Sequence, residues 1–330
     1  MHIEVPIPCL LGGERHRLES ARGDGDRRVG WAVRRLVARM TVTALLVALA
    51  PGLYSWIRAP AALARSALAL YYETKTMSGS LAIDRLSLSI PRAPEQVVAV
   101  GDATVFGLAV AWPYLYWSFQ AGVTGRGAIM RASLNSHRVR RLVGGLDSPA
   151  SLVAAHGFVY WSDRNAIGRV AVDGSHLQRR FLGLSRETGG GVADGLASDE
   201  SHLYFSRCLD HTIGRADLDG DHLDPRLLSL GHASCPQGIA VAGRYVYWTE
   251  LGIGTIGRAT VDGRGANRRW LSVRTDQGPF QVVADSAHLY WSWGGVDGSP
   301  SYTGRANADG SNLDPVFLPN SLYPMALSGA

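Results

Sequence analysis

Apolar and polar positions alternate in short bursts along this chain, with no sustained helical stripe. From about residue 66 onward, brief segments rich in Val, Ile, Leu, Tyr and Trp are separated by clusters of Gly, Asp and Ser. That pattern predicts β-strands joined by tight turns. The bursts also recur. LYWS at Leu115, VYWS at Val159, LYFS at Leu203, VYWT at Val246 and LYWS at Leu289 share a tyrosine, and Tyr116, Tyr160, Tyr204, Tyr247 and Tyr290 are spaced by 44, 44, 43 and 43 residues. A second motif follows at Ile129-Met130-Arg131-Ala132, Ile167-Gly168-Arg169-Val170, Ile213-Gly214-Arg215-Ala216, Ile256-Gly257-Arg258-Ala259 and Thr303-Gly304-Arg305-Ala306. Asp-Gly then closes the unit at Asp173, Asp219, Asp262 and Asp309, with Asn135-Ser136 as a degenerate copy. An apolar run precedes each tyrosine and another follows each Asp-Gly, so every unit holds four antiparallel strands. A repeat of roughly 40 to 45 residues with four strands is the sequence signature of a propeller blade.

The two ends of the repeat region complete one another. Met325 to Ala330 (MALSGA) matches only the first strand of a unit, whereas Leu70 to Glu73 (LYYE) matches LYWS and Ile83-Asp84-Arg85-Leu86 matches the second motif. The chain is therefore expected to be all-β: a six-bladed β-propeller over residues 65–330, closed by a C-terminal strand A that joins N-terminal strands B to D. Such closure keeps the strand at the split blade from being left as an open edge.

YWSD, YWTE and the downstream I-G-R-A and Asp-Gly pairs resemble the YWTD, or class B, repeats of the low-density lipoprotein receptor family. The resemblance covers essentially all of residues 66–330 and implies a six-bladed propeller. Animal members of that family are extracellular binding domains flanked by cysteine-rich modules, which this chain lacks.

Residues 1–64 have a different character. They carry nine arginines against five acids, so the formal charge of +5 resides largely there and the remainder is close to neutral. A neutral body argues against nucleic-acid binding, which needs a basic face on the folded domain. Thr41 to Ile57 (TVTALLVALAPGLYSWI) follows Arg34, Arg35 and Arg39 and precedes Ala62-Leu63-Ala64. This order of basic, apolar and small residues predicts a basic leader with a secretory signal peptide. The rival is an uncleaved N-terminal membrane anchor, for which the apolar run is at the short limit. An extracytoplasmic location follows, whether secreted, periplasmic or attached to the cell envelope. Of the three cysteines, Cys9 lies in the leader and Cys208 and Cys235 remain as an even pair in an oxidising compartment. Cys208 falls in the B-to-C loop of blade 3 and Cys235 in the loop entering blade 4, and a disulfide stapling the two blades is expected.

A catalytic group is needed once, while a structural group is needed in every blade. The Tyr-Trp pair and the strand-C arginines Arg85, Arg131, Arg169, Arg215, Arg258 and Arg305 recur, so they are assigned to architecture, the arginines pairing with carboxylates or carbonyls across blades. Asp-Gly pairs are turn chemistry. The acidic DLDGDHLD segment (Asp217 to Asp224) occupies that same turn and lacks EF-hand spacing.

What varies between blades lies on the face where strand D leads into A and B leads into C. Before strand A sit Phe106, Ala150, Asp194, Gln237, Phe280 and Tyr323; after strand B sit Thr74, Phe119, Asp163, Arg207, Glu250 and Trp293, with Arg164 beside Asp163. Such a rim suits a sugar, a peptide loop or a protein side chain. Two enlarged loops, Ser185 to Val192 and Trp293 to Thr303, belong to the same face. No G-x-S-x-G or H-E-x-x-H occurs. The sequence thus reads as an exported, monomeric, non-catalytic propeller that recognises a protein, peptide or glycan, with no cofactor and no metal. The alternative is a propeller enzyme, a lactonase-like hydrolase or a lyase, with a metal at the channel mouth.

Overall fold

The computed structural model describes residues 68–330 apart from 77–78, 90–92, 102, 122–125, 185–192, 274–277, 295–299 and 329–330. The leader and the Ser185 to Val192 loop lie outside the described residues, as does the centre of the Trp293 to Thr303 loop. Among the described residues, twenty-four strands form six four-stranded sheets, each antiparallel and ordered A-B-C-D from the inside outward. Blade 1 shows the plan: Val105–Ala111, Tyr114–Ala121, Arg126–Ser133 and Val139–Leu146. Blades 2 to 5 occupy residues 152–183, 195–229, 236–272 and 279–319.

The sixth blade is composite. Its strand A is Leu322–Ser328, and strands B, C and D are Ala69–Lys75, Leu81–Ser87 and Glu95–Gly101. Leu70 pairs with Leu327 and Tyr71 with Ala326, so the seam is an ordinary antiparallel ladder between opposite ends of the propeller chain. Each innermost strand packs against the next around the full circle, and the ring closes.

The core lies between blades. One cluster joins Tyr116, Ile129 and Val143 of blade 1 to Leu152, Val159 and Trp161 of blade 2, and the other clusters repeat this arrangement around the ring. Trp161, Trp248 and Trp291 are wholly buried, each stabilising its junction by about 1.5–3 kcal/mol. Those rings explain the glycine of the second motif. Gly168, Gly257 and Gly304 stand directly across the ladder from Trp161, Trp248 and Trp291. A Cβ at those glycines would meet the indole carbons at 2.2 to 2.3 Å. In blade 3, Phe205 covers Gly214 in the same way. Where the motif carries Met130 or Asp84 instead, the facing residues are Trp117 and Tyr72.

The strand-C arginines reach from blade to blade. Arg131 Nη1 donates to Val172 O at 2.5 Å, Arg169 Nη1 to Leu218 O at 2.9 Å and Arg215 Nη1 to Val261 O at 3.1 Å. Each acceptor is a carbonyl of the following blade, just before or within its C-to-D turn. The guanidinium groups also lie on aromatic faces, Arg169 on Phe158 and Phe181, Arg258 on Tyr245 and Trp270, Arg305 on Phe317. In the turns themselves, Asp173, Asp219 and Asp309 accept the N–H two residues on, and Gly174, Gly220 and Gly310 take positive φ.

Candidate functional site at the channel mouth

The mouth is built by a belt of hydroxyls at the ends of the B strands. Ser118 Oγ donates to Ala150 O at 2.6 Å and Thr249 Oγ1 to Phe280 O at 2.9 Å, while Ser206 Oγ bonds Gln237 O. Ser162 and Ser292 accept from Ser151 and Gln281 N–H instead. In blades 1, 3 and 4 a small hydroxyl at this position thus ties the blade to the beginning of the next blade's strand A, whereas in blades 2 and 5 it is bonded within its own blade.

Two halves of the mouth differ. On the side of blades 3 and 4 the polar groups satisfy one another. Glu250 is fully buried and accepts from Ser234 Oγ (2.6 Å), Trp248 Nε1 (2.9 Å) and Arg268 Nε (3.0 Å). Arg207 is buried against Asp210 as an ion pair. Asp194 accepts Cys208 N–H at 2.6 Å, and burial pushes its carboxyl up to about 6 against that bond. Cys208 and Cys235 are joined by a disulfide that clamps blade 3 to the entry of blade 4. Gln237 turns its amide toward Cys235 Sγ at 3.6 Å.

On the side of blades 5, 6 and 1 the rim is aromatic. Phe280 and Tyr323 stack with ring centroids 5.2 Å apart. Tyr323 is 43% exposed and Phe106 is 37% exposed. Beneath them lies Glu73, the residue that occupies the hydroxyl position in the composite blade. Its Cα is paired with Leu322, next to Tyr323, and its carboxyl accepts the N–H of Val105, next to Phe106. Glu73 is only 4% exposed, and its Oε1 has no hydrogen-bond partner. Burial pushes its carboxyl up to about 8, and the Tyr323 hydroxyl is raised in turn by burial and by Glu73.

The remaining rim candidates are engaged within the sheets and loops around the mouth. Trp293 stacks on Tyr302 at 4.6 Å and donates from Nε1 to Pro315 O, turned onto the outer strand of its own blade. Phe119 is paired with Ala128 inside an extended strand B. Asp163 accepts from Ser148 and Arg164 N–H at 2.8 Å each and shapes its loop, while the Arg164 residue is exposed. Glu73 was not among the residues singled out by pattern, although its signal is in the alignment: one acid in a column of Ser118, Ser162, Ser206, Thr249 and Ser292. Among the described residues, no group of three His, Cys, Asp or Glu side chains is placed to hold a metal ion.

A second concavity of about 610 Å³ lies on the opposite face, between blades 2 and 3, lined by Phe158, Tyr160, His202, Asp217 and Leu218 among others. Its walls are the recurrent Tyr-Arg scaffold and two A-to-B hairpins, and its charged groups pair internally, as His202 does with Asp199 and Asp217.

No protein-family model and no curated protein matches the chain. Solved structures do. A chain of a nidogen/laminin complex superposes with a TM-score of 0.63 at 17% identity, covering 79% of this chain and 98% of its own. TolB from Acinetobacter baumannii gives 0.57 at 12% identity, covering 79% of this chain and 66% of its own. A proposed 6-phosphogluconolactonase from Bacteroides fragilis NCTC 9343 gives 0.53 at 12% identity, over 75% and 80%. At these identities the likeness is one of fold, and it spans neighbours of differing function.

Proposed function

We propose that this chain is an exported, non-catalytic propeller of the YWTD-repeat type that binds a protein, peptide or glycan partner at the channel mouth. The observation that carries this reading is the aromatic arc of exposed Phe106 and Tyr323 with half-buried Phe280 stacked on Tyr323. It stands on a rim whose other half has already consumed its own polar groups. Aromatic rings held on a rigid scaffold present large contact area with little ordering cost on binding. The nidogen/laminin neighbour is consistent with partner recognition on such a fold. The leader and the disulfide support export, since a disulfide persists in an oxidising compartment. Among the described residues, no helix is long and apolar enough to cross a membrane.

Capture of partners from the cell-envelope fraction by the purified protein tests this. Replacing both Phe280 and Tyr323 with Ala is expected to lower capture of a saturable partner at least tenfold; undiminished capture would remove the mouth from consideration.

One observation favours a second reading. Two carboxyls at the mouth, Asp194 and Glu73, are raised to about 6 and about 8, the range in which a group can hold and deliver a proton near neutrality. A lactonase-like hydrolase or lyase would use such groups. Metal analysis of the purified protein, with Asp194→Asn and Glu250→Gln as comparisons, separates the two: stoichiometric metal lost in either variant would favour the enzyme.

A further inference from the structure

Glu73 is out of place in its own ring. The other five blades set a Ser or Thr at this point, which bonds the next blade in three of them and its own blade in two, whereas the composite blade buries a carboxyl there with one oxygen unpartnered. A buried acid with only one oxygen answered is costly and calls for something that answers the other.

The surrounding elements bring no cation to it. Strand A of blade 1 (VFGLAVA) and strand A of the composite blade (LYPMALS) contain no basic residue at all. On its own strand, Lys75 stands two residues on at the strand end, where it is exposed and exerts no effect on the Glu73 carboxyl. On the paired strand, Arg85 is engaged by the Tyr71 hydroxyl, and Asp84 is a second acid held by Thr74. Tyr323, next to the Leu322 that pairs with Glu73, is the titratable group that feels Glu73. The carboxyl is therefore a negative charge in waiting, capped by two exposed aromatic residues and a third stacked behind them.

Aromatic faces over a carboxylate make a receptor for a positive charge, because the ring quadrupole and the acid both attract it once water is excluded. We propose that the arc of Phe106, Phe280 and Tyr323, with Glu73 beneath it, receives a lysine or arginine side chain of the protein or peptide partner. The inference rests on the mouth being the binding face, and adds the chemistry of what enters. In the half of the mouth on blades 3 and 4 the carboxyls are already answered, since Glu250 holds Arg268, Asp210 holds Arg207, and Asp194 accepts the Cys208 N–H with Arg207 acting on it. A cation over Glu73 favours its ionised form, so binding near neutral pH is accompanied by release of the Glu73 proton.

Short fluorescein-labelled peptides identical except for one central residue, Lys, Arg, norleucine or Glu, give the test. Anisotropy measures affinity for the purified protein, and calorimetry in two buffers of different ionisation enthalpy counts the protons released. The Lys and Arg peptides are expected to bind about tenfold more tightly than the norleucine peptide, releasing close to one proton. Glu73→Gln and Glu73→Ser should each abolish both the preference and the proton release, so that the Lys and norleucine peptides bind alike; the serine variant restores the residue type of the other blades. Equal binding of Lys and norleucine peptides, or a preference that survives in both Glu73 variants, would overturn the inference and leave the mouth as a binding face. Absence of binding by every peptide would also overturn it, and envelope capture with and without Phe280 and Tyr323 then decides the mouth reading by itself.

Discussion

Glu73→Gln should make the protein more stable, and the gain should depend on pH in one direction. The carboxyl titrates ordinarily at 4.5 and in the folded ring at about 8, chiefly because burial disfavours its charged form. The unfolded chain therefore gives up the proton well before the folded one. Stability is full below about pH 4.5, falls as pH rises through the interval, and levels off above about pH 8. Each pH unit within it is worth about 1.36 kcal/mol, so the deficit is about 3 kcal/mol at pH 7 and at most about 5 kcal/mol above pH 8. Glutamine keeps the shape and removes the titration. Urea unfolding followed by tryptophan fluorescence, for both proteins from acid to mildly alkaline pH, measures the difference. The informative quantity is the change in that difference with pH, because any constant cost of the amide cancels. A gap between variant and wild type that widens by several kcal/mol between acid and alkaline ends is the expected result. A gap that stays constant would refute the assignment of a buried, unpaired acid at the seam.

Other expectations follow from the scaffold. Reducing Cys208–Cys235, or replacing both with Ser, opens a crosslink between residues 27 apart and should cost about 3–4 kcal/mol in urea unfolding, with a mass shift after reduction and alkylation but none without it. Gly257→Ala or Gly304→Ala puts a methyl into an indole ring at about 2.3 Å and should destabilise by about 1–3 kcal/mol, seen as a lower unfolding midpoint and a shifted tryptophan emission. Arg169→Ala should cost about 1–3 kcal/mol, and Arg169→Lys should recover little of it, since an ammonium cannot both donate to Leu218 O and stack flat on Phe181. Unfolding of the lysine variant at wild-type denaturant concentration would contradict that geometry.

The blade plan was legible because a propeller repeats its solution: one tyrosine period and one split blade are enough to place all the strands. The rim was less legible because counting positions outward from a motif assumes strands of equal length. Strand B runs six residues in blade 3 but eight in blade 1 and seven in blade 5. Phe119 and Trp293 were therefore carried into the sheets, across from Val105 and Pro279. Glu250 and Arg207 stood at the right position, but their partners Arg268 and Asp210 come from a strand D and a turn that no local pattern connects to the mouth. Glu73 was visible as a letter and missed as a site, since matching LYYE to LYWS values the likeness and passes over the one position where it fails.

The composite blade also sets where the ring gives way. In a linear array of repeats the terminal units fray first, because each lacks a neighbour. A closed ring has no such units, and five blades are each held by strands contiguous in the chain. The sixth depends on Leu322–Ser328 docking onto Ala69–Lys75, a pairing that only long-range contacts maintain and that carries a register shift beside Glu73. The amides of that ladder should exchange with solvent ahead of the innermost strands of the other blades. A partner whose charge settles over Glu73 would fasten the same hinge, so that occupancy of the mouth could be read from deuterium uptake at the clasp of the ring.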